Sequence, residues 1–318
     1  METRYGGWSR GLRKLRHPAL LYASMEELLD VLSPFVAEGL DRREHVFVAV
    51  GAAELSALRA RIGADAPEVR WEDTREWHPH PATRLRAFHE FVTDELRGGA
   101  ARIRLVGEPV WPPGPPEHVR EWERYESVLN EVLGPFPVTL MCTYDAARVD
   151  PAIATNVRRT HPVVLDGEER PSEGFEEPTE FLRRWNADLA PPPRSATALP
   201  EVRNLAAARR SLLVEARRAG VGLDPAMDLC LATNEVLTNA LVHASGATGV
   251  WVWTEGDRFL CQIEDRGPGI GDPVAGYRPP GDAALSGRGL WIARQFVDLL
   301  QISGGPSGTR VRLHARRA

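Results

Sequence analysis

The sequence predicts an α/β protein in two domains, and three observations carry that expectation. In the first half, short apolar runs alternate with amphipathic segments, the pattern of a mostly parallel sheet with helices on its faces. In the second half, two helical segments lead into pairs of alternating strands joined by turn residues. Between the halves, residues 166–198 are rich in Glu and Pro and end near Pro191-Pro192-Pro193, a stiff and extended segment. A length of 318 residues suits two domains. The expected layout is a basic tail at 1–16, a first domain at 17–188, a linker at 189–198 and a second domain at 199–318.

Strands are expected in the first domain at 19–22, 45–50, 102–106 and 138–142, where apolar residues run together. Helices are expected at 25–40, 53–62, 83–96 and 117–133, where they recur at helical spacing. Residues 180–189 form one further short helix. In the second domain, 202–219 is an amphipathic helix stopped by Gly220. Asp224 caps the next helix, Pro225 sits in its first turn, and it runs to Val242. This helix is apolar on most sides, so it should be buried. Strands 249–254 and 258–265 make a hairpin about Glu255-Gly256-Asp257. Residues 272–286 carry Pro and Gly and few apolar side chains, so they form a long loop. A helix at 287–300 and a hairpin of 300–303 with 309–315 complete the chain. In its last strand Val311 and Leu313 face one way, and Arg310, Arg312 and His314 the other.

Hydrophobic residues make up 43% of the chain, enough for two cores. A net charge of −5 gives no footprint for nonspecific nucleic-acid binding. The basic tail (Arg4, Arg10, Arg13, Lys14, Arg16) reads as a solvated segment. Lys14 is the only lysine. A phosphate loop of the G-x-x-x-x-G-K-[ST] type needs one in a context that Lys14 lacks, so Walker-type ATP chemistry is excluded. Cys142, Cys230 and Cys261 lie in apolar patterns without metal-ligand spacing, and an odd, low count fits a reducing cytoplasm. There is no signal peptide and no apolar run near ~18 residues, so neither export nor a membrane partner is expected.

Chemistry concentrates in four short motifs. Asn234-Glu235-Val236-Leu237-Thr238-Asn239 lies on the long helix, and Glu235, Asn239 and His243 share one face at i, i+4 and i+8. A polar row on a buried helix must be paired or must line a cleft. Asp265-Arg266-Gly267-Pro268-Gly269 follows a strand. A carboxylate there can accept a hydrogen bond from an exocyclic amine such as that of adenine, and the glycines let backbone approach a planar base. Gly287-Arg288-Gly289-Leu290 opens a helix whose N-terminus favours phosphate. Gly308-Thr309 starts the last strand, from which Thr309 could reach back to Asp265. Each motif alone is ordinary: a hydrogen-bonded core network, an Asx turn or a strand start would account for it.

In this order the motifs resemble the N box, the two glycine boxes and the closing Gly-Thr of the GHKL ATPases, which include gyrase, histidine kinases and the heat-shock-protein-90 chaperones. The resemblance covers residues 199–316. It is nearest to the anti-sigma-factor serine kinases, which sequester sigma factors and phosphorylate anti-anti-sigma proteins. It implies a Bergerat-type α/β two-layer sandwich that binds ATP with Mg²⁺. By this resemblance Asp265 binds adenine, Thr309 supports that contact, and Asn239 helps hold Mg²⁺ through the phosphates. Gly267, Gly269, Gly287 and Gly289 shape the pocket and its lid, residues 272–286. Glu235 is the general base toward a Ser or Thr acceptor. Arg288 lies where it could touch the γ-phosphate. Trp291 stands where many histidine kinases carry another glycine, and the lid is short; both features suit the anti-sigma branch. A histidine kinase also needs an acceptor histidine on a helical hairpin just upstream, and 202–219 contains none.

The first domain shows a second resemblance. His17-Pro-Ala-Leu-Leu-Tyr22, Glu38-Gly39-Leu40, Gly107-Glu108 with Trp111, Tyr125-Glu126 with Asn130, Cys142-Thr-Tyr144-Asp145 and Thr160-His161-Pro162 resemble the MEDS sensory domain over residues 16–181. That family is regarded as a degenerate RecA-like fold and is proposed to sense small hydrocarbon derivatives, which agrees with the missing Walker lysine. The resemblance implies a sensory pocket in which His17 and His161 join Glu108, Trp111 and Tyr144. No H-x-x-x-H or C-x-x-C spacing points to a metal. The expected whole is a cytoplasmic switch. A sensor controls a Mg²⁺-ATP-dependent kinase that acts on an anti-anti-sigma protein and binds a sigma factor, as a homodimer by resemblance. The alternatives are a nucleotide-gated binding module without transfer and a soluble histidine-kinase-like sensor.

Overall fold

The computed structural model describes residues 15–63, 68–78, 80–111, 115–185, 189–200, 204–244, 246–280 and 287–317. The expected basic tail, except for its last two positions, and residues 281–286 of the expected lid lie outside the described residues. The chain divides into two compact units, Met1–Phe181 and Leu182–Ala318.

The first unit runs β1 (Pro18–Tyr22), α1 (Met25–Asp41), β2 (His45–Val50), α2 (Ala52–Ile62), β3 (Val69–Asp73), α3 (Pro81–Arg97), β4 (Ile103–Gly107), α4 (Pro116–Val132), β5 (Val138–Asp145), α5 (Pro151–Thr160), β6 (Val163–Asp166) and β7 (Glu168–Pro171), with α6 (Pro178–Trp185) following. Its sheet has the order β3-β2-β4-β5-β1-β6-β7. Every pairing is parallel except β6 with β7. The central strands β1 and β4 are buried along their whole length, as strands covered on both faces must be. The fold is α/β with a mostly parallel sheet, as the sequence predicts.

Four elements of this unit were not foreseen. β3 is an edge strand with the mixed sequence Val-Arg-Trp-Glu-Asp, which hides its alternation. α5 has a clear start signal, because Asp150 accepts the Ala152 N–H at 2.7 Å and Pro151 opens the helix. β6 and β7 form a hairpin across Gly167, whose φ is 84°.

A buried ion pair fastens α1 to this sheet. Arg104 of β4 is 2% exposed, bonds to Glu44, and donates to the Phe35 carbonyl at 2.7 Å and Glu38 at 3.0 Å. Its guanidinium also lies 4.9 Å from the centroid of the Phe35 ring. Removing one partner of such a pair strands the other charge in the interior.

In the second unit, α7 (Leu205–Arg218) and α8 (Leu223–Ala244) cover an antiparallel sheet of order β11 (Leu299–Gly305), β12 (Gly308–Arg316), β10 (Arg258–Asp265), β9 (Ala247–Glu255) and β8 (Thr197–Ala198). The core lies between the layers. Leu212, Ala216, Leu229 and Leu237 pack with Val250, Cys261, Ile263, Val311 and Leu313. A short helix, α9 (Arg288–Gln295), lies beside α8. It is shorter than the expected 287–300, because Leu299 and Leu300 are taken up by the ladder of β11 with β12. α8 is also less buried than its composition implies: Met227 is 57% and Val242 70% exposed.

The proline-rich segment expected as a linker is bound to the far face of this sheet. Arg312 donates to the Ala190 carbonyl at 2.7 Å, Arg310 to that of Leu189 at 3.2 Å, and Thr197–Ala198 pairs with β9. Among the described residues no helix is long and apolar enough to cross a membrane.

Replacing Arg104 by Ala is expected to lower the stability of the first unit by about 3 kcal/mol, since Glu44 would be left buried with only the longer contact to the more exposed Arg102, at 3.8 Å. Urea unfolding followed by circular dichroism would check this; a loss within error of zero would show that the pair contributes nothing net.

Candidate functional site

A cavity of about 440 Å³ opens in the second unit between α8, the end of β10 and the start of α9. Asn239 and His243 of α8, Asp265, Gly267 and Gly269 after β10, Gly287 before α9 and Thr309 of β12 all line it. Glu235, Arg288 and Gly289 do not; Arg288 is exposed at the surface.

Asp265 ends β10, where the pairing with β9 shifts register. Its Oδ1 accepts the Gly267 N–H at 2.8 Å and the Thr309 N–H at 3.2 Å. Its Oδ2 takes no hydrogen bond among the described residues, so one oxygen is anchored and the other is left for a ligand donor. This close approach of β12 requires glycine at 308. A Cβ there would lie 2.0 Å from the Asp265 carbonyl oxygen.

The opposite wall depends on Gly289. A Cβ at that position would sit 3.1 Å from Glu235 Oε2 and 3.3 Å from the amide atoms of Asn239. The missing side chain thus lets α9 settle onto the polar face of α8, and Glu235 stands at the shared wall rather than in the cavity. The N-cap of α9 is Gly287, in a left-handed conformation and without a side-chain cap. A helix start of this kind favours an anion. The described part of the expected lid is well held. Val274 and Tyr277 are buried, and the Arg294 guanidinium lies 3.7 Å from the Tyr277 ring centroid.

This arrangement of carboxylate, amide and glycine-backed helix start coincides with the span of a known family. Residues 197–315 match the family model described as Histidine kinase-like ATPase domain, and residues 16–162 match MEDS, the MEthanogen/methylotroph, DcmR Sensory domain. The chain is a MEDS sensory domain followed by a histidine kinase-like ATPase domain. No curated protein matches the chain.

The MEDS domain has its own cavity, of about 830 Å³, at the carboxyl ends of its parallel strands. That is where ligands enter open α/β sheets. Glu108, Trp111 and Tyr144 line it together with Tyr22, Glu54, Asp73, Arg75, Asp145 and Arg148. His17 and His161 do not. They lie deeper, with ring centroids 4.2 Å apart, and the Tyr144 hydroxyl stands 3.5 Å from His161 Nε2. The single sensory pocket expected from sequence is thus two sites divided by Tyr144, because the histidines sit below the strand ends and Glu108 and Trp111 above them.

Two residues complete the deeper site that sequence did not assign to it, Glu126 and Cys142, both 2% exposed or less. A signal for Glu126 was present. It shares a helix stripe with Trp122, Tyr125 and Leu129, all buried, and a carboxylate in an apolar stripe calls for a partner.

Glu108 accepts the Gly51 N–H at 2.6 Å. Burial raises its pKa above the ordinary 4.5 against the pull of that hydrogen bond, and Glu54 adds repulsion. The folded value lies above the unfolded one, so the favourable contribution is complete below pH 4.5 and is lost as pH rises through the raised value. Glu108→Gln keeps an acceptor for Gly51. It is expected to match the wild type near about pH 4 and to exceed it in stability near about pH 8. Paired urea melts at the two pH values would read the difference, and equal midpoints at both would remove Glu108 as the cause.

Proposed function

We propose that the protein is a sensory regulator whose ATPase domain binds Mg²⁺-ATP, phosphorylates a Ser or Thr of an anti-anti-sigma protein, and binds a sigma factor in the alternate nucleotide state. The observation that carries this reading is the convergence of Asp265, Asn239 and the glycine-led start of α9 on one cavity, with Glu235 one helical turn from Asn239, just outside the lining.

In this reading the unbonded Oδ2 of Asp265 accepts an exocyclic N–H of adenine, while the Thr309 and Gly267 amides keep Oδ1 in place. Asn239 and the first N–H groups of α9 take the phosphates. Mg²⁺, held by Asn239 together with the phosphates, would neutralise phosphate charge. Glu235 receives the proton of the acceptor hydroxyl as its oxygen bonds to the γ-phosphorus and the bond to the bridging oxygen breaks. Positioning and charge stabilisation supply most of the rate, as is usual in phosphoryl transfer.

The strand-end cavity of the MEDS domain receives the sensed molecule. Glu54, Asp73, Glu108 and Asp145 outnumber Arg75 and Arg148 in its wall, so a neutral or cationic small molecule suits it better than a phosphate. A second copy or a sigma factor finds apolar surface at Met227 and Leu231, which border a groove between α7 and α8. Cys142, Cys230 and Cys261 form no disulfide, which suits a cytoplasmic setting.

One observation favours a second reading, a nucleotide-gated module that transfers nothing: Glu235 stands outside the cavity lining. Incubation with γ-labelled ATP and a candidate anti-anti-sigma protein separates the two. The kinase gives acid-stable label on the acceptor, reduced about 100-fold or more in Glu235→Gln while ATP affinity is kept. Nucleotide binding without any transfer supports the module, and acid-labile label on this chain supports a histidine kinase.

Asp265→Asn is expected to weaken ATP binding by about 10- to 100-fold, the worth of one hydrogen bond to a charged group. Calorimetry with Mg²⁺ present would measure it, and unchanged affinity would place the base elsewhere.

A further inference from the structure

The deeper site of the MEDS domain is used by neither cavity. His17 precedes β1, Glu126 lies on α4, Cys142 on β5, and His161 caps the end of α5. All four are at most 2% exposed, and one donor atom from each lies within 4.8 Å of all the others. His17 Nε2 is 3.3 Å from Cys142 Sγ and 3.9 Å from Glu126 Oε2, and His161 Nε2 is 3.4 Å from that same oxygen. Ligands bonded at ~2.0–2.3 Å to a tetrahedral ion stand ~3.3–3.8 Å apart.

The imidazoles are oriented from behind. The Asn130 amide N–H₂ donates to the Ser127 carbonyl at 3.2 Å and the Thr160 carbonyl at 2.7 Å, so its Oδ1 is left to accept the Nδ1–H of His17 at 3.0 Å. His161 Nδ1–H donates to the Val157 carbonyl at 2.9 Å. Both protons are thereby placed on Nδ1, and both Nε2 lone pairs point inward, the arrangement of metal-binding histidines held by outer hydrogen bonds.

Glu126 supplies the independent observation. Both its oxygens are buried and neither meets a donor at good hydrogen-bond geometry; the Cys142 thiol and the Tyr144 hydroxyl are near enough for weak contacts with it. A buried carboxylate facing two nitrogen lone pairs and a sulfur is costly without a cation among them.

We propose that His17, Glu126, Cys142 and His161 bind one divalent transition-metal ion, with zinc the best match to two imidazoles, a thiolate and a carboxylate. Cys142 gives up its thiol proton to solvent on binding, so thiolate and carboxylate together balance the two positive charges of the ion. Four protein ligands leave no open position, and the ion is structural. It ties β1, α4, β5 and the α5–β6 turn together immediately beneath Tyr144.

The test uses the full chain, purified without chelator and assayed for metal, then stripped and titrated with Co²⁺. About one ion per chain is expected, with the visible bands of tetrahedral cobalt and a thiolate-to-cobalt band in the near ultraviolet. Cys142→Ser should abolish the thiolate band, and His161→Ala should bring stoichiometry close to zero. Asn130→Ala keeps all four ligands and should weaken Co²⁺ binding by about 10- to 100-fold, a loss that does not depend on the ligand variants folding. Three outcomes overturn the proposal. The wild-type chain could take up neither Zn²⁺ nor Co²⁺. The cobalt spectrum could be unchanged in Cys142→Ser. Or Glu126→Gln could stabilise a chain that binds no metal, which would show a shared proton in place of the ion.

Discussion

The ATPase cavity depends on one hydrogen bond between strands, from the Thr309 amide to the Asp265 carboxylate. It forms only because β12 runs close enough to the end of β10 for backbone to touch backbone, and only glycine at 308 permits that approach. The carboxylate then has a fixed direction without any side-chain partner. The rest of the cavity is arranged about it: α8 presents its polar row across the gap, and α9 closes in through a second missing side chain. Packing of α7 and α8 on the sheet holds this geometry, since Leu229, Leu237 and Leu212 meet the apolar face that carries Val311 and Ile263.

Much of this was legible in the sequence because the ATPase motifs are local. Glu235 and Asn239 are one turn apart, Asp265 and its glycines are contiguous, and the order of the four motifs carries the fold. The deeper MEDS site was not legible in the same way. Its four residues come from four elements, and no short spacing joins them, so the usual metal patterns are silent. What remained visible was the oddity of single residues, such as a glutamate within an apolar helix stripe. The misjudged boundaries have similar causes. Phe296 to Leu300 is apolar enough for helix or strand, and only the partner strand β12 decides between them. Likewise β3 owes its existence to pairing with β2 and not to its own mixed sequence.

The two domains place chemistry by different means. In the MEDS domain, parallel strands end together, so Tyr22, Asp73, Glu108 and Tyr144 reach one rim from separate strands. In the ATPase domain, the antiparallel sheet offers no such rim, and the cavity is built at the edge of a strand and the ends of two helices. Among the described residues Tyr144 serves both the open cavity of the first domain and its interior cluster. Its hydroxyl and ring make the floor of one and the roof of the other.

The attachment of residues 189–198 to the sheet bears on where the chain can be cut. A fragment beginning at residue 199 would lack Thr197–Ala198 and expose the outer backbone of β9 as a bare edge. It would also remove the Ala190 carbonyl that accepts from Arg312, whose guanidinium lies 5.1 Å from the Trp253 ring centroid. Such an edge is a template for pairing with other chains, so the shortened protein would tend to self-associate. Starting the fragment at residue 182 keeps the covering segment with the sheet it protects.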